Sequence, residues 1–145
     1  EVTRTVVRTA QVSHFCKLAR DLPGTWVSLQ YGPVQTALEH ARAGGLDLCH
    51  WPEAIEDLDE FAALVSVLDL VVTVCNTTVH YAGALGRPTL VLAPDVPEWR
   101  YGLHFERMPW YSDVTVLRQS TPGDWDGVFQ TARLKLESRL KSLAK

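Results

Sequence analysis

The stretch VVTVCNTTVHYAGALGRPTLVLAP, residues 71–94, decides the fold. Val71, Val72 and Val74 form a β-branched run of the kind that fills a buried strand, and the run stops at Cys75 and Asn76. Asn76, Thr77 and Thr78 can each cap a helix. Gly86 can end that helix in a left-handed conformation, Pro88 forbids its continuation, and Thr89 to Ala93 supply the next apolar strand. The pattern predicts a strand over about residues 70–75, a helix over roughly 77–85, and a second strand parallel to the first, both strands buried on both faces. In such a unit the helix N-terminus lies at the carboxyl edge of the sheet, where unpaired N–H groups and the helix dipole favour an anion such as phosphate. The plainer reading is that Asn76 or Thr77 only caps a structural helix.

The rest of the chain extends the same alternation. Val12, Phe15, Cys16 and Ala19 recur at helical spacing, and Leu22-Pro23-Gly24 turns the chain into a strand at Trp26–Gln30. A second helix is expected over Thr36–Ala43, a short strand over Leu46–Cys49, an acidic loop over residues 51–58, and a helix from a cap at Asp59 to Leu68. Residues 95–113 have neither helical nor strand periodicity. They are too apolar for a disordered tail, so an ordered loop is expected with Trp99 and Trp110 largely buried. Val114–Leu117 reads as a last strand, and residues 125–143 as a long amphipathic helix capped by Asp124. Alternating helices and apolar strands make an α/β sandwich with a mainly parallel sheet.

At 145 residues and 46% hydrophobic content the chain fits one domain, residues 1–145, with a real core. A formal charge of -3 argues against a nucleic-acid or membrane-surface binder, which would need a basic face. Cys16, Cys49 and Cys75 are an odd number without close spacing, which points away from a disulfide framework or zinc knuckle and towards a reducing, cytoplasmic compartment. The most apolar segment, Phe61–Cys75, is too short for a membrane span. The sequence holds no GxGxxG after a strand, no GxxxxGK[ST], no GxSxG, and no HExxH or CxxC, so no metal or cofactor is expected. What remains is the Asn-Thr-Thr turn with His80 one helical turn on, placed either to reach an anion there or to pack against a backbone carbonyl. Arg100, Arg107 and Arg118 read as solvated charges.

Taken together, WVSLQYG (26–32), DLDEFAALVSVLDLVVTV (57–74), HYAGALGRPTLVLAP (80–94), PEWRYG (97–102), RMPWYSDVTVLRQ (107–119) and GDW (123–125) resemble the C-terminal domain of the heptosyltransferase-like glycosyltransferases, family 9, in the form that follows tetratricopeptide repeats in bacterial proteins. The resemblance implies a Rossmann-like three-layer sandwich that is the donor-binding half of a GT-B fold, and therefore a fragment of a larger protein. It also implies metal-independent, inverting transfer from a nucleotide-diphospho-sugar to an acceptor glycan or protein held by an N-terminal domain. That missing domain would supply the general base, so no catalytic residue is assigned within these residues and the chain alone is expected to bind without turnover. The family's C-terminal domain opens with an apolar strand, a part that the resemblance gives to Glu1–Val7 in degenerate form, and its turn commonly reads Asp-Thr-x-x-x-His. Anchored on His80, it sets Cys75 at the Asp and Asn76 at the Thr. The implied donor site comprises Cys75, Asn76, Thr77, Thr78 and His80 for the diphosphate and sugar, with Gln30, Tyr31, Gly32 and Glu56 towards the base and ribose. The alternative is a non-catalytic protein-interaction module that keeps the fold.

Overall fold

The computed structural model describes residues 9–143. It is an α/β structure with two parallel sheets. Helices are α1 (Val12–Ala19), α2 (Gln35–Ala43), α3 (Pro52–Glu56), α4 (Leu58–Ser66), α5 (Thr77–Ala84) and α6 (Trp125–Leu143), with a 3-10 turn at Trp99–Tyr101. Strands β1 (Trp26–Val27) and β2 (Leu48–Cys49) form one sheet, and β3 (Val71–Val74), β4 (Thr89–Ala93) and β5 (Val114–Arg118) form the other in the order β3-β4-β5. All pairings between these strands are parallel. The reading of Glu1 to Val7 as a strand lies outside the described residues.

The opening stretch folds as the strand-helix-strand unit its residues dictate. Val71 pairs with Thr89 and Val74 with Leu92. Gly86 takes φ +65° just past the helix, the left-handed conformation that glycine adopts without a Cβ penalty. β4 is buried along its whole length. Leu90 and Leu92 face Trp125, Val128, Phe129, Ala132 and Leu136 of α6, whereas Val91 and Ala93 face Val79 of α5 together with Tyr101 and Met108 of the following loop. β3 departs from the expectation. Val71 and Thr73 are buried but Val72 and Val74, on the opposite face and at the margin of the cluster beneath α6, only half so.

Two short elements also differ from the sequence reading. Residues 52–56 form a helical turn where a loop was expected: Pro52 sits at its start, where the missing N–H costs nothing, and Ile55 is buried against Phe61 and Val65. The cap of α4 is Asp57 instead of Asp59, its Oδ1 accepting the N–H groups of Asp59 and Glu60 at 2.9 and 3.0 Å. Asp124 caps α6 as predicted, accepting the Gly127 N–H at 3.0 Å and the Ser120 hydroxyl at 2.8 Å. The Gly127 N–H first, then the Ser120 hydroxyl, hold the Asp124 carboxyl below its ordinary pKa. A carboxylate depressed on folding stabilises the fold above its unfolded pKa and loses that contribution as pH falls through the folded value. Asp124→Ala is therefore expected to lower the melting temperature at pH 7, and the difference from the parent should vanish under acid well below pH 4, the usual carboxylate range. A difference unchanged in acid would remove the carboxylate from the account.

Helix α6 also closes the end of α1. Arg133 donates from its guanidinium to the carbonyls of Leu18, at 2.9 Å, and Arg20, groups that α1 leaves without intrahelical donors. With α1 and α6 on one face of the β3–β5 sheet and α5 on the other, the carboxyl ends of these strands, and the turn at residues 75–80, lie along one edge.

Candidate functional site

The turn after β3 is built around the side chain of Asn76. Its backbone is extended (φ -150°, ψ -173°), which lets Oδ1 reach the Thr78 N–H at 3.0 Å. The Thr73 hydroxyl donates to the same oxygen at 3.1 Å, and the Val79 N–H reaches the Asn76 carbonyl at 3.3 Å. Of the three amides from Thr77 to Val79, two are thus satisfied within the turn. Two of the N–H groups that the helix start was expected to leave unpaired for an anion are therefore taken: the cap that starts the helix occupies the space in front of its second residue. The Thr77 N–H has no backbone or side-chain acceptor among the described residues. Asn76 and Thr77 are exposed, whereas Thr78 and Val79 are buried.

His80 is engaged with the loop that follows β4. Its Nδ1 shares a hydrogen bond with the Tyr111 hydroxyl at 3.1 Å, and its ring lies 5.9 Å from that of Tyr111 and 6.3 Å from that of Tyr101. Cys75 is half-buried and packs with Tyr111 against the cluster of Val79, Val91, Tyr101 and Met108. Burial pushes the Tyr101 phenol well above its ordinary pKa, and the neighbouring Cys75 and Glu98 push it further. Burial lowers the Arg118 pKa, and the same Cys75 opposes the shift. The Cys75 side chain thus packs on the cluster that holds Tyr101, and Arg118 grips the Tyr101 carbonyl, at the carboxyl edge beside the start of α5.

Arg118 is not the solvated charge its sequence context suggested. From the last position of β5 it donates to the carbonyls of Phe105 at 2.5 Å, Gly102 at 2.9 Å, and Tyr101. The loop is also drawn onto α5 at Gly83, where an added Cβ would lie 2.4 Å from two ring carbons of Tyr111. In a helix interior Ala is worth up to about 1 kcal/mol over Gly, but overpacking against a ring pinned by His80 costs about 1–3 kcal/mol. Gly83→Ala is accordingly expected to destabilise the chain in urea titrations; a stabilised variant would show that the loop is free to move away.

Trp99 and Trp110, expected to be largely buried, are 73% and 59% exposed. The loop is anchored by its smaller interior set, Tyr101 and Met108, together with Arg118, so the indoles are not needed for its burial. Gln30, Tyr31 and Gly32 follow β1 and are exposed, as is Glu56 at the end of α3. No hydrogen bond or ion pair joins them to residues 76–80 among the described residues. Their neighbours share a core with α5, in which Leu29 and Ile55 pack with Tyr81 and Ala82. The turn and the aromatic loop thus form one constellation, and the β1 and α3 residues a second beside it.

Two concavities lie elsewhere. One of about 330 Å³ sits at the amino edge of the sheet, lined by Leu70, Pro88, Asp113, Lys135 and Arg139 among others. The other, of about 240 Å³, lies between α1 and α6. Among the described residues no group of three or more His, Cys, Asp and Glu could hold a metal ion, and no helix is long and apolar enough to cross a membrane.

Among curated proteins the chain is similar to Protein FlbA of Caulobacter vibrioides, with 34% identity over 109 residues. That match covers 72% of this chain. It covers 18% of FlbA, so the chain spans less than a fifth of the length of this relative. No family model matches the sequence, and no solved structure matches it.

Proposed function

We propose that this chain is the donor-binding domain of a glycosyltransferase-like protein, the Rossmann-like C-terminal half of a GT-B fold, which holds the diphosphate of a nucleotide sugar at the N-terminus of α5. The observation that carries the reading is the parallel β3-α5-β4 unit, whose helix starts at the carboxyl edge with an exposed, unpaired Thr77 N–H. The resemblance of residues 26–125 to family 9 glycosyltransferases supports it. In this reading Thr77, the helix dipole and a rotated Asn76 stabilise the departing nucleoside diphosphate electrostatically. Thr78 and His80 belong to the same wall, and Gln30, Tyr31, Gly32 and Glu56 lie on the side of the base and ribose. The general base and the acceptor belong to a further domain, preceded in the longer protein by tetratricopeptide repeats, in a cytoplasmic setting. Transfer needs no metal and inverts the anomeric centre.

A second reading is favoured by the Asn76 side chain, which already satisfies the Thr78 N–H, and by Cys75, a thiol that cannot accept sugar hydroxyl bonds as a carboxylate does. In it the fold is kept as a protein-interaction module. Thermal unfolding with UDP, ADP, GDP and CMP separates the two. At a hundred times its dissociation constant a bound nucleotide adds about 2.7 kcal/mol, a rise of roughly 5–10 °C for a domain of this size. No shift with any of the four at millimolar concentration favours the interaction module.

A further inference from the structure

We infer that Trp99 and Trp110 form a docking corner for a neutral pyranose ring, a second sugar subsite on this domain's own aromatic loop. The inference deepens the donor-site reading and rests on it for the choice of a saccharide as occupant. The two indoles meet edge to face, ring centroids 6.1 Å apart and planes at 85°, and both remain largely exposed. Large aromatic side chains held rigidly in water are a feature of ligand and partner surfaces, because burying them on binding costs little conformational entropy.

The rigidity is built in. The Trp110 Nε1–H donates to the Arg100 carbonyl at 3.1 Å, which fixes the ring while it stays largely exposed. Arg100 lies 5.7 Å from the centre of the Trp99 ring and pairs with Glu98. Arg118 holds the carbonyls of Tyr101, Gly102 and Phe105 beneath.

Shape and charge select the occupant. Two indole planes at right angles cannot both stack on one flat base. They can take a ring that offers an axial C–H face to one plane and its rim to the other, as a pyranose does. The Glu98–Arg100 pair, each side chain about 40% exposed, sets a carboxylate and a guanidinium side by side next to the indoles, a polar edge without net charge that suits hydroxyl groups. Opposite charges side by side give no net attraction to a polyanion or a polycation. The loop that carries Trp110 continues into Tyr111, which is bonded to His80, so a ring on the corner lies along the same edge as the start of α5.

Saturation-transfer NMR on the 145-residue chain tests this, with cellobiose and chitobiose as probes and with Trp99→Ala, Trp110→Ala and the loop-external control Trp51→Ala. Transfer to ring C–H protons is expected in the parent and in Trp51→Ala, with affinity reduced about tenfold in each loop variant. Near-ultraviolet circular dichroism and melting confirm that the variants, altered at exposed positions, stay folded. The corner is refuted by absence of transfer from both disaccharides, by transfer that both loop variants retain, or by concentration-dependent self-association that either variant abolishes, which would make a second copy the occupant. A parallel titration with UDP and ADP keeps the two ideas apart: nucleotide binding without saccharide binding removes the corner alone, and saccharide binding without nucleotide binding removes the donor site alone.

Discussion

Replacing Arg118 with Met is expected to lower stability by about 2–3 kcal/mol and to release the loop over residues 99–111 from the sheet edge. The guanidinium donates to three carbonyls of one loop, those of Tyr101, Gly102 and Phe105, from a strand end where burial already lowers its pKa. Hydrogen bonds from a charged donor contribute about 1.5–3 kcal/mol each in protected settings, and solvent reaching the exposed Phe105 side reduces the sum. Met restores the apolar stem and none of the donors. Lys should not rescue, because one ammonium on a flexible stem does not reproduce a planar fork addressing carbonyls four residues apart. Urea titration gives the stability change, and amide hydrogen exchange locates it. An unchanged midpoint together with unchanged exchange over residues 99–111 would show that Tyr101 and Met108 hold the loop without the arginine.

That arginine illustrates where the sequence could and could not be read. The β3-α5-β4 unit was legible because its signals are local: a β-branched run, an Asn cap, a Gly at the helix end and a Pro beyond it act within a few residues of one another. The partnership of Arg118 with Tyr101 joins residues 17 apart through a loop without periodicity, and that of Arg133 with Leu18 spans 115 residues. Neither has a local signature. Trp99 and Trp110 lie exposed against expectation because apolar content alone does not dictate burial, and a loop needs only enough interior side chains to anchor it. At the candidate site, the cap at Asn76, the helix start at Thr77 and the place of His80 in its first turn were legible from residue type and spacing. That the Asn76 carboxamide would fold back on Thr78, and that His80 would pair with Tyr111, depends on rotamers and on a loop 31 residues away.

The folded-back carboxamide sets the sharpest test of the donor site. Thr77 is the first residue of α5, a position whose N–H has no partner within the helix and where proline's fixed φ fits. The extended backbone of Asn76 is the conformation required before a proline. Thr77→Pro should therefore leave the melting temperature nearly unchanged while deleting the N–H that the turn leaves open. If a diphosphate binds there, losing one charge-assisted hydrogen bond of about 1.5–3 kcal/mol weakens UDP or ADP roughly ten- to a hundredfold, read by calorimetry. Asn76→Ala has the opposite profile. It removes a cap worth about 1 kcal/mol, the acceptor for the Thr73 hydroxyl and the carboxamide that the donor reading turns to the diphosphate, yet frees the Thr78 N–H to take that contact's place, so stability falls while nucleotide affinity changes less than in Thr77→Pro. The pair separates a cap from a ligand site because the stability loss belongs to one variant and the affinity loss to the other. A folded Thr77→Pro chain that binds UDP or ADP as tightly as the parent would end the phosphate role of this turn and leave Asn76 as the cap of a structural helix.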